Sequence, residues 1–363
     1  MKFQPEPTYR HGQPPRTAVL LVNLGTPDEP TAPALRRYLR EFLSDPRVVE
    51  IPRAVWWPIL HGIILRTRPA RSAAKYASVW MPEGSPLAVW TKRQASALGA
   101  SLAAAGHHVT VRPAMRYGNP SLPDTLDALR ADGVIRVLVL PLYPQYAAAT
   151  TASVADKVLQ WATQARRMPE LRFIAEYHDD PNYIAALAQQ LRNHWAVHGR
   201  GDKLVLSFHG IPERSLLLGD PYHCHCHKTA RLLGAALGVS KDEVLVTFQS
   251  RFGKAKWLQP YTEPTLKELA AAGLKSVDVM CPGFVADCLE TLEEIAQEAR
   301  DAFIAAGGQT FSYVPCLNDA PAWISALTAL AERHLSGWDT RAETDAPAQA
   351  AQRERALAMG APD

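Results

Sequence analysis

Short apolar, β-branched runs recur along the chain, each closed by glycine, proline or a short polar residue and followed by helical spacing. The clearest are TAVLLVNLGTP (17–27), VIRVLVLPLYPQ (134–145), LRFIAEY (171–177), KLVLSFHG (203–210), EVLVTFQS (243–250) and SVDVMCPGF (276–284). Continuous rather than alternating apolar positions suit strands covered on both faces, the condition of a parallel sheet. Between them lie Ala/Leu-rich stretches of helical period, such as YIAALAQQLRNHW (183–195) and TLKELAAAG (265–273). Strand and helix alternate, so the expected class is α/β with right-handed crossovers. The alternation occurs twice. That predicts two facing α/β halves, 15–150 and 151–335, with a ligand cleft between them. The polar, Ala-rich residues 336–363 are expected to form a mobile tail or a loosely attached helix.

Composition narrows this little. A chain of 363 residues suits two domains of ordinary size, and 47% hydrophobic with 21% charged residues is the balance of a soluble globular protein. A net charge of +3 is too weak for the concentrated basic face that nucleic acid requires. The N-terminus lacks a secretory pattern, and no run approaches the roughly 20 apolar residues needed to cross a bilayer. Five cysteines do not make a disulfide framework, so the expected setting is cytoplasmic with reduced thiols. No G-x-G-x-x-G or G-x-x-x-x-G-K-[ST] follows any strand, which removes the main support for dinucleotide or nucleoside triphosphate binding.

Two strand ends carry candidate chemistry. KLVLSFHG delivers His209 to its carboxyl end, where open α/β sheets bind ligands. VMCPGFVADCLETLEEI (279–295) ends a strand at Cys281-Pro282-Gly283 and then places Asp287 and Glu290 three residues apart. On a helix such a pair shares a face, so both carboxylates are expected to point into the cleft with His209. Histidine with carboxylates serves proton transfer near neutral pH, or binding of a divalent ion such as ferrous iron. The same residues also suit a structural histidine and acids placed for a helix dipole, so spacing alone leaves the function open.

LSFHGIPERSLLLGDPY and CPGFVADCLETLEEI resemble the two signature segments of ferrochelatases, the enzymes that insert ferrous iron into a porphyrin. LLVNLGTPDEP (20–30), GSPL (84–87), MRYGNP (115–120), YPQYAAATTAS (143–153) and TFQSRFGKAKWLQP (247–260) are similar to further segments of that family, in its order. The resemblance spans about residues 15 to 330. It implies the class II chelatase fold, two facing Rossmann-like domains with parallel sheets. It also implies His209 as the essential metal-contacting or proton-accepting residue, with Glu290 and Asp287 as its carboxylate partners. Arg116, Tyr117, Tyr143, Trp257 and Phe284 correspond to the family's porphyrin cleft. Many members have histidine two residues before the glutamate. Here that position is Cys288, which leaves a second-histidine proton relay without its residue.

The chemistry accounts for these residue types. Inserting Fe²⁺ into protoporphyrin IX expels two pyrrole protons without redox change, so a base must stand at the ring face. His209 is the natural acceptor and, with Glu290, the expected metal contact; Asp287 would relay protons or hold the ion. Bending the flat macrocycle exposes its nitrogen lone pairs, and the aromatic residues would grip the bent ring. Fe²⁺ is thus a substrate. Coproporphyrin, another divalent metal, or a non-catalytic tetrapyrrole carrier are the rival readings.

Two stretches stand apart. PYHCHCHKT (221–229) alternates histidine and cysteine, types that ligate zinc and iron–sulfur centres. The region after 330 has no cysteine, so a two-iron two-sulfur cluster is not expected, and a polar loop is the expectation for Cys224 and Cys226. RAVWWPILHGIILRTRPARSA (53–73) is too short to span a bilayer, and its Trp56-Trp57 pair and flanking arginines suit a core helix or an interface with lipid. The resemblance makes it a hydrophobic lip of the porphyrin site, with Trp56 and Ile59 facing the ligand and a membrane surface as a partner.

Overall fold

Burial decides which runs become central strands. β1 (Arg16–Thr26) carries Ala18–Val22, all fully buried, and forms the heart of a parallel sheet with β2 (Val109–Gly118) and β3 (Val134–Pro141) as neighbours. β4 (Glu170–Phe173) adds to β3, giving the order β2-β1-β3-β4. The second sheet repeats the plan. β5 (Lys203–His209) lies between β6 (Val244–Gln249) and β7 (Ser276–Met280), and β8 (Thr310–Val314) completes the order β6-β5-β7-β8, again parallel throughout. These two sheets hold the strands of the computed structural model, which describes residues 3, 5–7, 11–251, 253, 255–341 and 345–362.

The edge strands β2 and β8 lack the continuous apolar signal, because each is partly exposed. Pro113 sits within β2, which an edge position tolerates since one side of the strand needs no ladder bonds. The expected boundary at 150 falls inside the first half: β4 hydrogen-bonds to β3, so the first sheet runs to Phe173. Its run LRFIAEY was expected to open the second half. Only its first residues are strand, and they belong to the first sheet.

One large core joins the halves. Leu21 and Leu138 of the first sheet and Leu206 and Phe208 of the second belong to the same buried cluster. Helices Pro86–Ala104, Pro181–His198 and Pro321–Leu335 supply the rest of it, with Leu98, Leu187 and Leu327. The late helix Pro321–Leu335 packs on both of the others, and Thr328 Oγ1 donates to Ser101 Oγ at 2.9 Å. The chain thus crosses back onto its first half before its end. Residues 336–341 continue that docking: buried Trp338 donates to Glu170 at 2.7 Å, and Thr340 bonds the His107 ring at 2.7 Å. Helix Ala346–Ala358 follows; residues 342–344 and 363 of this stretch lie outside the described residues.

Residues 53–79 form helix Arg53–Ile59, a π-helical turn Leu60–Ile64 and helix Leu65–Val79. Trp56 is only 7% exposed, and its indole N–H donates to the Leu43 carbonyl at 2.7 Å. It packs in a cluster with Leu39, Leu60 and Tyr76, with Ile59 partly buried against it. The outward residues are Trp57, Val55 and Ile63, at 49%, 56% and 57% exposure. The assignment of Trp56 to an open lip is therefore corrected: helical spacing turns 56 and 60 inward together and leaves 57 outside. Among the described residues no helix is long and apolar enough to cross a membrane.

Trp56→Ala should cost about 3–5 kcal/mol of stability by emptying a packed site and orphaning the Leu43 carbonyl. Trp57→Ala should stay within about 0.5 kcal/mol. Chemical denaturation of the two variants checks the ordering; a loss for Trp56→Ala as small as that for Trp57→Ala would contradict the inward placement of Trp56.

Candidate active site

The carboxyl ends of β1, β3, β5, β6 and β7 open on one cavity of about 620 Å³ between the two sheets. That is where open α/β sheets bind ligands, and the volume falls within the roughly 300–1,000 Å³ of small-molecule pockets. Its walls are mainly apolar, with Leu24, Phe42, Tyr143, Trp257, Phe284 and Leu289 among them. Two glycines make the walls possible. Gly25 has φ +113°, and a Cβ there would lie 1.7 Å from the Tyr117 carbonyl oxygen, so β1 can approach β2 at its end only without a side chain. A Cβ on Gly210 would lie 2.9 Å from the Gln249 carbonyl oxygen and 3.1 Å from the Trp257 ring. Glycine there lets the indole lie against the end of β5.

His209 is the last residue of β5 and lines the cavity. Its Nδ1 is 2.6 Å from the Gly210 carbonyl oxygen. A carbonyl only accepts, so Nδ1 carries a proton at this contact, and in the neutral ring Nε2 is the nitrogen with the lone pair. The Trp257 and Phe284 rings flank it, each with its centroid 6.4 Å away. His209 is therefore held by Nδ1, with Nε2 left uncommitted, between two aromatic walls.

Glu290 comes from the helix Leu289–Leu292 and also lines the cavity. Gln249, at the end of β6, holds that helix: its amide N–H donates to the Glu290 carbonyl at 2.7 Å, while its side-chain oxygen accepts from Ser207 at 2.7 Å. One buried amide thus ties β5, β6 and the Glu290 helix together. Glu294 lies one turn on. It accepts from the Ser250 amide at 2.7 Å and from the Ser250 hydroxyl, and Ser250 is held at φ 67°. That is a left-handed conformation costly for a non-glycine residue and met where a site over-determines the backbone. Burial raises the Glu294 carboxyl above its ordinary range, against the opposing pull of Ser250 and His209.

Asp287 does not join them. Helix Leu289–Leu292 begins after Cys288, so Asp287 precedes it and the helical face argument fails. Its buried carboxylate points into the second half and accepts from Thr291 at 3.0 Å, from Asn318 Nδ2 at 2.7 Å and from the Tyr313 hydroxyl. Arg116 and Tyr117 also stand behind the cavity rather than in its wall. Arg116 binds Asp45 and donates to Ser153 Oγ at 2.7 Å; the fully buried Tyr117 hydroxyl donates to Asp45 at 2.8 Å. Tyr117 meets Phe42, a wall residue, edge-on with centroids 5.1 Å apart. These two brace the wall. Of the expected cleft residues, the cavity takes His209, Glu290, Tyr143, Trp257 and Phe284. Tyr143 Oη and Trp257 Nε1 are buried there without a hydrogen-bond partner, two polar atoms that a ligand would satisfy.

The ferrochelatase family model matches residues 16–335. The ferrochelatase of Methylibium petroleiphilum is 66% identical over 361 residues, covering 99% of each chain. That of Polaromonas sp. strain JS666 is 64% identical over 366 residues, covering all of both. The chain belongs to the ferrochelatase family. It is a lyase that inserts metal into a porphyrin in haem synthesis. Among solved structures, SirB of Bacillus subtilis with Fe³⁺ superposes with a TM-score of 0.53 at 12% identity, covering 91% of this chain and 100% of that one. That likeness shows the fold, two Rossmann-like domains of the class II chelatase kind.

In this ferrochelatase the histidine–cysteine stretch is not a loop. It opens the helix Tyr222–Leu237, because the stretch has helical spacing with Tyr222, Cys226 and Ala230 buried on one face. Glu176, His178 and His225 bring donor atoms within 4.8 Å of one another. The two imidazoles stack 3.7 Å apart and 7° from parallel, so their lone pairs run side by side instead of meeting at one point. His225 Nδ1 accepts from the Tyr146 amide at 3.2 Å, and Asp220 accepts from the Ala148 amide at 2.8 Å. This side of the helix clasps the loop that carries Tyr143 and Ala147 into the cavity wall. Gln249, Ser250 and Glu294 were not singled out from sequence; the QS closing EVLVTFQS was the available signal.

Asp287→Ala should lower stability by about 2–4 kcal/mol, because it orphans the Tyr313 hydroxyl and the Asn318 amide. Porphyrin affinity should change less than about threefold on the scale where tenfold is 1.4 kcal/mol. Unfolding curves beside porphyrin titrations check this. An unchanged melting temperature with tenfold weaker binding would return Asp287 to the cavity.

Proposed function

We propose that this ferrochelatase inserts Fe²⁺ into protoporphyrin IX, with His209 accepting pyrrole protons and contacting the metal, and Glu290 as its partner. The observation that carries the reading is the contact of His209 Nδ1 with the Gly210 carbonyl at 2.6 Å. With Nδ1 committed to the Gly210 carbonyl, Nε2 is the nitrogen free to take a proton or meet a metal in a mainly apolar cavity. Free-base porphyrin gives up two pyrrole protons as Fe²⁺ enters, so the ring face needs such an acceptor, and it needs no electron donor. Glu290 stands in the same cavity to receive the proton or steady the ion. Glu294, raised by burial, extends the path for protons toward solvent.

Trp257, Phe284 and Tyr143 supply the flat apolar contact that holds a macrocycle out of plane, and Arg68, Arg71 and Arg251 line the cavity with charge that suits its propionates. The reading includes no iron–sulfur cluster. It places the protein in the cytoplasm, with Trp57, Val55 and Ile63 beside Arg53 and Arg66 as a surface for peripheral membrane contact.

Anaerobic turnover of Fe²⁺ with protoporphyrin, followed by loss of free-base fluorescence, tests this against His209→Ala. Wild type should metallate, and the variant should bind porphyrin yet lose about 10²–10⁴-fold in kcat. A variant that keeps wild-type kcat, or a wild type that binds protoporphyrin but metallates only coproporphyrin or takes another ion, would overturn the assignment.

A further inference from the structure

Helix Pro86–Ala104 carries two fully buried polar side chains, Thr91 and Gln94, and residues three apart on a helix share a face. Each is committed to a different half of the molecule. Thr91 Oγ1 accepts from Asn23 Nδ2 at 3.0 Å. Asn23 lies near the end of β1, where its side-chain oxygen takes the Leu24 amide at 2.8 Å. Gln94 reaches into the second half. Its Nε2 donates to the Val285 carbonyl at 2.8 Å and to the Asn318 carbonyl at 2.7 Å, so both N–H groups of the amide are engaged there.

Those two carbonyls belong to the segments that hold the Phe284–Glu290 wall. Val285 follows Phe284, and its carbonyl also accepts the Asn318 amide at 3.0 Å. Asn318, at φ 46°, grips Asp287 with both ends of its side chain: Oδ1 accepts the Asp287 amide at 2.8 Å, and Nδ2 donates to the carboxylate at 2.7 Å. Asp287 in turn takes the Thr291 hydroxyl in the helix that carries Glu290. Leu87, at the start of helix Pro86–Ala104, packs with Ala286 and Cys288 against Leu24 and Phe284. Asn23, Leu24, Leu87, Phe284, Val285 and Glu290 all line the cavity. The Gln94 amide oxygen, by contrast, is buried with no partner among the described residues. An apolar side chain would avoid that unfavourable burial, so packing alone does not account for glutamine here; its two N–H bonds do.

We propose that Gln94 is a positioning residue that sets the width of the cavity: through Val285 and Asn318 it fixes the Phe284–Glu290 wall relative to the Leu24 wall, and so bends the macrocycle held between them. The inference rests on the cavity being the porphyrin site. Bending that exposes the ring nitrogens is felt in kcat, whereas flat apolar contact survives in a slackened cleft.

The full-length protein is compared as wild type, Gln94→Met, Gln94→Glu and Thr91→Val, each with free-base protoporphyrin. Gln94→Met keeps the length of the side chain and loses both N–H groups. Gln94→Glu turns a carboxylate toward the two carbonyls. Thr91→Val keeps its shape and releases Asn23 instead. Resonance Raman of the bound ring reads out-of-plane deformation without turnover, and steady-state metallation with Fe²⁺ separates kcat from the porphyrin KM. Both Gln94 variants should lose about tenfold or more in kcat with KM within about threefold of wild type, and the out-of-plane bands should weaken. Thr91→Val should move both in the same direction by less. A merely structural role would lower the melting temperature and leave bands and kcat unchanged. That result in a folded Gln94 variant, or a rise in KM at constant kcat, would overturn the proposal. Should neither Gln94 variant fold, wild-type bands and kcat in Thr91→Val overturn it. A wild type whose bound ring stays planar fails the reading of the cavity itself, and the inference with it.

Discussion

The hydrogen bond from His209 Nδ1 to the Gly210 carbonyl is the contact on which the site depends. It is made at the point where β5 ends, and it works because the strand cannot continue. Gly210 gives its amide to the Gln249 carbonyl at 2.8 Å and carries no side chain, so Trp257 can close over it. The histidine is left with one committed nitrogen and one open one. The parallel sheet supplies the rest: five strands from two sheets stop at the same cavity, and each stop leaves a residue at its rim.

Charge in the cavity is arranged in depth. His209 and Glu290 line the cavity, Glu294 is held by Ser250 beside them, and Glu293 and Glu298 pair with Lys75 of the adjoining helix Leu65–Val79. Four carboxylates on a stretch this short repel one another unless partners or protons intervene, and burial pushes Glu293 and Glu294 toward the protonated form. Behind the cavity wall, Asp45 collects Arg116, Tyr117 and Ser153, and Asp287 collects Thr291, Tyr313 and Asn318. These two buried carboxylates are satisfied by neighbours on separate elements, and they hold the walls without entering the cavity.

The alternation of apolar runs made the two parallel sheets legible, because strands buried on both faces are mainly apolar, with single polar residues such as Asn23 and Asp278. β2 and β8 escaped for the opposite reason: as edge strands they are partly exposed, and β2 carries a proline. At the site, His209, Glu290, Tyr143, Trp257 and Phe284 were legible from motif order, and all five line the cavity. Asp287, Arg116 and Tyr117 have the right types in the right segments but face a hydrogen-bond network one layer back. Sequence spacing could not show that the helix begins after Cys288. Nor could it show Lys75 between Glu293 and Glu298, a contact across more than 200 positions that needs a π-turn to form.

The most direct test of the account is the structure of this chain with free-base protoporphyrin bound. The macrocycle should lie in the cavity between Trp257 and Phe284, with a pyrrole nitrogen facing His209 Nε2 and its propionates toward the arginines of the rim. A ring seated elsewhere, such as the neighbouring pocket of about 450 Å³ bounded by Tyr261 and Glu263, or one bound with His209 turned away, would contradict it.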